Sequence, residues 1–249
     1  MTDTVIQVES VTKVFGKTTV LDNINLSFQR GQITGLIGRN GSGKTMLLKC
    51  IVGFVPATSG KILVNGKVIG KDVDVPPDVG VIIEAPGFLP NYSGYANLKF
   101  LATINKKIGK EQIVRTIERV GLDPASKKHV GKYSLGMRQR LGLAQALMEE
   151  PDILILDEPM NGLDNNGVED IRHLLLDLKQ EGKTIVIASH GKEDIQILCD
   201  TVYELDHGKI LMEIIMFRRC AVFIISKSIC VHAIPLPSLN KDRSGNHGI

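Results

Sequence analysis

Four cysteines, Cys50, Cys199, Cys220 and Cys230, are spread through 249 residues, and none forms a Cys-x-x-Cys pair. A zinc or disulfide framework is therefore not what holds the chain together, and reduced thiols are expected. No run comes near eighteen uninterrupted apolar residues, the length a membrane-spanning helix needs. The best apolar stretch, residues 220–226, is closed off by Arg219 and Lys227. Residues 1–10 carry two acids and no apolar core, unlike a secretory signal. A large excess of charge of one sign is missing as well. Net charge is +3, and Arg218, Arg219, Lys227, Lys241 and Arg243 lie beyond residue 213 with Asp242 as the sole acid there. Residues 1–213 then hold 25 basic and 26 acidic groups, which is no nucleic-acid footprint. Internal repeats and sustained heptads are missing too. The length allows one large domain or two small ones, with a real core.

Against these absences stands one strong motif. Gly38-Arg39-Asn40-Gly41-Ser42-Gly43-Lys44-Thr45 fits G-x-x-x-x-G-K-[ST]. The apolar run 33–37 before it reads as a buried strand, and Met46 to Val52 after it as a helix. Glycines let the backbone wrap a polyanion with its N–H groups pointing inward. The helix N-terminus and Lys44 add positive potential, and the Thr45 hydroxyl can ligate Mg²⁺.

Three other apolar runs end in polar residues at the same relative place. Residues 81–83 end in Glu84, residues 153–156 in Asp157 and Glu158, and residues 185–188 in Ser189 and His190. Short continuous apolar runs mark strands covered on both faces, as in parallel sheets. Ligands of such sheets bind beyond the carboxyl ends of the strands. Lys44, Glu84, Asp157, Glu158 and His190 thus become candidates for one site. Asp157 suits a Mg²⁺ partner, and Glu158 a general base that polarises an attacking water. A solvated turn is the plain alternative for two such acids. Their place 113 residues after Lys44, in a chain with a phosphate loop, favours the site.

Residues 5–32 alternate and carry turn residues, and residues 61–68 read as a hairpin turning at Asn65-Gly66. Together they predict a small antiparallel sheet flanking the core. Residues 95–105, 111–120 and 134–149 have helical spacing, the last with Ser134 as N-cap and Pro151 just past its end. Ser134, Gly136 and the free N–H groups of that helix start make a second anion site. The chain thus has two phosphate-binding helix starts but one lysine-bearing loop. One solution is two copies head to tail, each nucleotide lying between one copy's loop and the other's serine.

These motifs, in this order, resemble the nucleotide-binding subunit of ATP-binding cassette (ABC) transporters over residues 4–212. Residues 38–45 look like its Walker A loop, with Met46 following, and residues 153–158 like Walker B with the catalytic glutamate. Residues 133–140 resemble the signature motif, residues 161–164 the D-loop, and His190 the switch histidine. Phe15 sits where the family stacks an aromatic on adenine. Residues 133–137 and 82–97 look most like bacitracin- and lantibiotic-type export and self-immunity cassettes. The resemblance implies an α/β P-loop NTPase (RecA-like) fold. Its mainly parallel core spans residues 1–88 and 150–213, with a small antiparallel subdomain and an inserted helical subdomain at 89–149. It implies ATP and Mg²⁺ as cofactors. Lys44, Glu158 and His190 would be catalytic, and Thr45, Asp157 and Glu84 would lie at the metal. Ser134, Leu135, Gly136, Met137 and Asp164 would lie at a dimer interface. The implied partners are a second cassette and an integral membrane permease, which would hold the chain on the cytoplasmic face of the membrane.

Two departures stand out. Leu135 and Met137 replace a glycine and a glutamine of the usual signature, and Glu84 replaces a glutamine. ATP over GTP rests on resemblance, although the absence of a guanine-reading Asn-Lys-x-Asp run agrees (Asn105-Lys106-Lys107 leads to Ile108). His129, His173 and His207 belong to no constellation and read as surface or packing residues. Residues 214–249 leave the pattern, and their Pro235, Pro237 and polar end predict poor order. A non-transport cassette ATPase and a nucleotide-gated binding module remain alternatives. The second is disfavoured by Glu158, the first by the single short cassette.

Overall fold

Runs of isoleucine, leucine and valine build strands that are buried on both faces. The computed structural model describes residues 3–217, 220–225 and 234–235. In chain order these form β1 (Thr4–Phe15), β2 (Thr18–Gln29), β3 (Ile33–Ile37), α1 (Lys44–Ile51), β4 (Ser59–Val64), β5 (Lys67–Val68) and β6 (Val79–Ile82). Then come α2 (Gly94–Asn105), α3 (Lys110–Arg119), α4 (Leu135–Leu147), β7 (Ile153–Asp157), α5 (Asn165–Gln180), β8 (Thr184–Ala188) and α6 (Lys192–Leu198). The last elements are β9 (Thr201–Asp206), β10 (Lys209–Phe217), β11 (Cys220–Ile225) and β12 (Ile234–Pro235).

Strands β6, β7, β8, β3 and β9 lie side by side in that order and all run parallel. Their side chains alternate between two cores. Ile153 and Ile155 of β7 and Val186 and Ala188 of β8 face one; Leu154, Leu156, Ile185 and Ile187 face the other. Each such valine, leucine or isoleucine contributes about 1.5–3 kcal/mol by leaving water. The first core is closed by α1 and by the second sheet, whose antiparallel order is β2-β1-β4-β5. Helices α2 to α6 cover the opposite face. The Asn65-Gly66 hairpin is present, with φ of 48° and 75°, the two left-handed positions a tight hairpin turn needs.

Because the core strands are parallel, their carboxyl ends gather at one edge. The phosphate loop follows β3, Glu84 follows β6, Asp157 and Glu158 end β7, and Ser189 and His190 follow β8. Glu84 and Glu158 both adopt left-handed backbone, at φ 62° and 49°. Such strain costs about 1–3 kcal/mol per residue and gathers at functional sites.

The carboxyl end of the chain differs from expectation. Residues 214–217, expected outside the domain, continue β10, which pairs with β9 as far as Ile215↔Thr201. Ile214 and Met216, two residues apart, both pack on the core, so these residues have the alternation that was missed. β11 pairs antiparallel with β10 in turn. The expected poor order of residues 226–233 and 236–249 lies outside the described residues. Cys50 and Cys199 are free and buried, and burial pushes both thiols up from their ordinary range. No helix among the described residues is long and apolar enough to cross a membrane.

Candidate functional site

Crowding dictates the path of the phosphate loop. A Cβ on Gly38, at φ 152°, would lie 2.2 Å from the Leu205 carbonyl oxygen. Gly43 at φ 110° turns the loop into α1 and brings no side-chain cap. The first N–H groups of α1 are thus left for a ligand, which is how helix starts bind anions. The ammonium of Lys44, buried, donates to the Gly38 and Arg39 carbonyls at 2.7 and 3.2 Å. It holds its own loop in the shape of a cradle. Ser42 Oγ is buried and has no hydrogen-bond partner. An unsatisfied hydroxyl costs about 1–3 kcal/mol, and a phosphate oxygen in the cradle would satisfy it. The loop opens on a cavity of about 410 Å³ lined by Asn40, Gly41, Thr45, Met46, Lys49 and the acids named next.

Asp157, Glu158 and Glu84 line that cavity. Thr45 donates to Asp157 Oδ2 at 2.7 Å. Burial pushes the Asp157 carboxyl up from its ordinary range. The Thr45 hydrogen bond and Lys44 pull it down, and Glu158 and Glu84 push it further up. Three carboxylates, of Glu84, Asp157 and Glu158, thus share one cavity with the ammoniums of Lys44 and Lys49. Among the described residues no three His, Cys, Asp or Glu side chains converge tightly enough to hold a metal alone. Thr45 and Asp157 supply two adjacent oxygens. That is the share protein usually gives Mg²⁺ in nucleotide sites, where phosphates and water complete the octahedron. The donor set fits Mg²⁺ on that condition.

Glu158 accepts from His190 Nδ1 at 2.8 Å when the carboxylate is ionised and the proton sits on Nδ1. A neutral ring in that tautomer presents an acceptor at Nε2. Contact with a phosphate oxygen then requires a protonated ring or a change of partner. Glu84 is ion-paired with Lys49 at 2.6 Å. The Arg39 side chain turns away from the cavity to Asp206 at 2.9 Å and to His207 at 3.1 Å, so only its backbone shapes the loop. Phe15, 48% exposed, ends β1 outside the cavity.

The Ser134 group lies elsewhere. Ser134 caps α4, its Oγ accepting from Met137 N at 3.2 Å, and its own O–H is free to donate. Leu135 is 64% exposed. A Cβ on Gly136 would approach the Gly162 carbonyl to 3.0 Å, so the start of α4 packs against the 161–164 turn. Asp164 caps α5 by accepting from Gly167 N at 2.9 Å. None of these residues lines the phosphate cavity of its own chain.

One site residue escaped the sequence reading, and a second, inside the 133–140 run, was given no role there. Lys49 lies one helical turn beyond Thr45 on α1, and i,i+4 spacing would have placed it at the site. Gln139 donates to the carbonyls of Glu158 and Pro159 at 3.2 and 3.1 Å, tying α4 to the end of β7. Its place in the 133–140 run marks the segment, but its partners at the end of β7 are visible only in the fold.

Comparison with known proteins agrees with this geometry. The ABC transporter family model matches residues 21–161. The chain is 48% identical to an uncharacterized ABC transporter ATP-binding protein, YybJ of Bacillus subtilis, over 82% of this chain and 94% of that one. It is 42% identical to the bacitracin transport ATP-binding protein BcrA of Enterococcus faecalis, over 84% of this chain and 70% of that one. Among solved structures, the dimeric MJ0796, a bacterial ABC transporter cassette, shares a TM-score of 0.75 at 25% identity, covering 84% of this chain and 97% of that one.

Proposed function

The chain belongs to the ABC transporter family as an ATP-binding, ATP-hydrolysing subunit, and from that membership we propose how its residues divide the work and what it drives. The observation that carries the reading is the Lys44–Thr45–Asp157–Glu158 cluster at the ends of two parallel strands. Lys44 and the N–H groups of α1 hold the β- and γ-phosphates. Thr45 and Asp157 would hold Mg²⁺, which when bound would supply charge neutralisation for the phosphates. Glu158 takes a proton from the attacking water, and His190 keeps its carboxylate aimed. Phe15 stacks on adenine. Ser134 and Gly136 of a second copy close the site head to tail, with Leu135, Met137 and Asp164 at the same interface.

The second partner is an integral membrane permease. A cavity of about 450 Å³ between β6 and α2 supports this, with exposed Phe54 and Ile104 (58% and 74%) on its walls. Glu84 lines both this cavity and the phosphate cavity, so one carboxylate borders nucleotide and partner. The likeness to BcrA points to export of, or immunity to, a bacitracin-type peptide. The test is resistance: cells expressing this chain with its membrane partner should tolerate more bacitracin than cells carrying Lys44→Ala. Equal tolerance, with hydrolysis intact in the first and lost in the second, overturns the export reading and leaves the ATPase standing.

A further inference from the structure

Lys13 is only 9% exposed, yet its ammonium pairs with no carboxylate among the described residues. A buried charge needs compensation. Lys13 Nζ has two partners. It donates to the Pro56 carbonyl at 2.7 Å, and it sits over the Phe15 ring, 4.6 Å from the centroid. Pro56 belongs to the segment that leaves α1, the helix whose first turn carries Lys44 and Thr45. Val14 N, between the two side chains, donates to Thr58 Oγ1 of the same segment at 3.0 Å. The β1 end and the far end of the phosphate helix are thus one assembly. The β1–β2 hairpin also reaches the phosphate loop. Val20 lines the cavity, and a Cβ on Gly43 would touch Leu21 Cδ2 at 3.0 Å.

A buried ammonium and a half-exposed ring define the two faces of Phe15. The cation lies over one face of the ring, and the residue as a whole is 48% exposed, which leaves room for a ligand on the other face. Charge on one face draws the ring's π density inward and leaves the other face less negative. Such a face receives the electron-rich plane of a purine better than an unpolarised phenyl ring does. We propose that Lys13 is a positioning residue for the nucleobase: its ammonium fixes and polarises Phe15, and so favours a base-bearing nucleotide over bare polyphosphate. The proposal rests on the reading of Phe15 as the adenine platform.

The experiment compares dissociation constants for ATP and for inorganic tripolyphosphate by calorimetry at one Mg²⁺ concentration. Lys13→Met should weaken ATP by about fivefold and leave tripolyphosphate within about twofold. Lys13→Gln can still donate to Pro56 but carries no charge. It should behave like Lys13→Met, and it serves if the methionine variant fails to fold. Lys13→Arg should retain wild-type discrimination. In a Phe15→Leu background, Lys13→Gln should cost nothing further. Equal weakening of both ligands would mean that Lys13 only staples the 52–58 segment, and additive losses in the Phe15→Leu background would also overturn the coupling. If Phe15→Leu alone leaves ATP binding unchanged, the adenine-platform reading itself falls. That failure is distinct from a Phe15 that matters without Lys13.

Discussion

The helix starts of α1 and α4, the two proposed to meet phosphate, are built in opposite ways. α1 begins at Gly43 with no side-chain cap, beneath a loop that wraps a cavity, and its lysine is buried. α4 begins at Ser134, already capped by its own hydroxyl, on a surface where Leu135 stands exposed. The first is deficient in hydrogen bonds until an anion arrives. The second is internally satisfied and offers a single spare O–H. An isolated chain should therefore bind nucleotide with the first alone, and the second should matter only when another copy presents it.

The largest expected effect breaks that comparison directly. Lys44→Ala and Ser134→Arg should each reduce hydrolysis to background, but for different reasons. Lys44→Ala should lose ATP binding in the isolated chain, whereas Ser134→Arg should bind ATP as the wild type does. Mixing the two variants creates one composite site that keeps both Lys44 and Ser134, so part of the activity should return. Absence of rescue in proven mixed dimers would count against the head-to-tail arrangement.

A smaller effect is expected from Glu158→Gln, which keeps shape but removes the base. Hydrolysis should slow by roughly 10²–10⁴-fold, as for a lost general base. ATP should still bind and should hold two copies together on gel filtration. Only monomer in the presence of ATP, with binding intact, would break the link between the two helix starts.

Glu84→Gln should be milder and more selective. Glu84 crowds a corner that already holds Asp157 and Glu158, and Lys49 neutralises it at 2.6 Å. Removing one carboxylate should keep hydrolysis but change the Mg²⁺ concentration that half-saturates it. Superimposable Mg²⁺ titrations for the two proteins would assign Glu84 to loop capping or to the partner-facing cavity.

The smallest effect concerns the far end of the sheet. A chain ending at Glu213 loses the pairing of Ile214 and Ile215 with β9 and the bond from Met216 N to the Asp200 carbonyl. Asp200 also accepts from Ile33 N at 2.9 Å, at the start of the strand that carries the phosphate loop. A chain ending at Phe217 keeps all of this. Thermal melting should show the shorter chain less stable, with ATP binding retained in the longer one. Identical melting temperatures would return the boundary to residue 213.

Much of this was legible in the residues alone, because local rules cover it. Apolar runs marked the parallel strands, glycines and Lys44 marked the phosphate loop, and Ser134 announced a helix cap. The β10 extension was missed because alternation over four residues is a weak signal without the strand beside it. What only the tertiary structure decided are the pairings between segments far apart in sequence. Thr45 meets Asp157, His190 meets Glu158, Lys49 meets Glu84, and Lys13 meets Pro56. Sequence periodicity states which face a side chain takes. It does not state which partner from another strand or loop arrives there, since that depends on sheet order and on how the helices close over it.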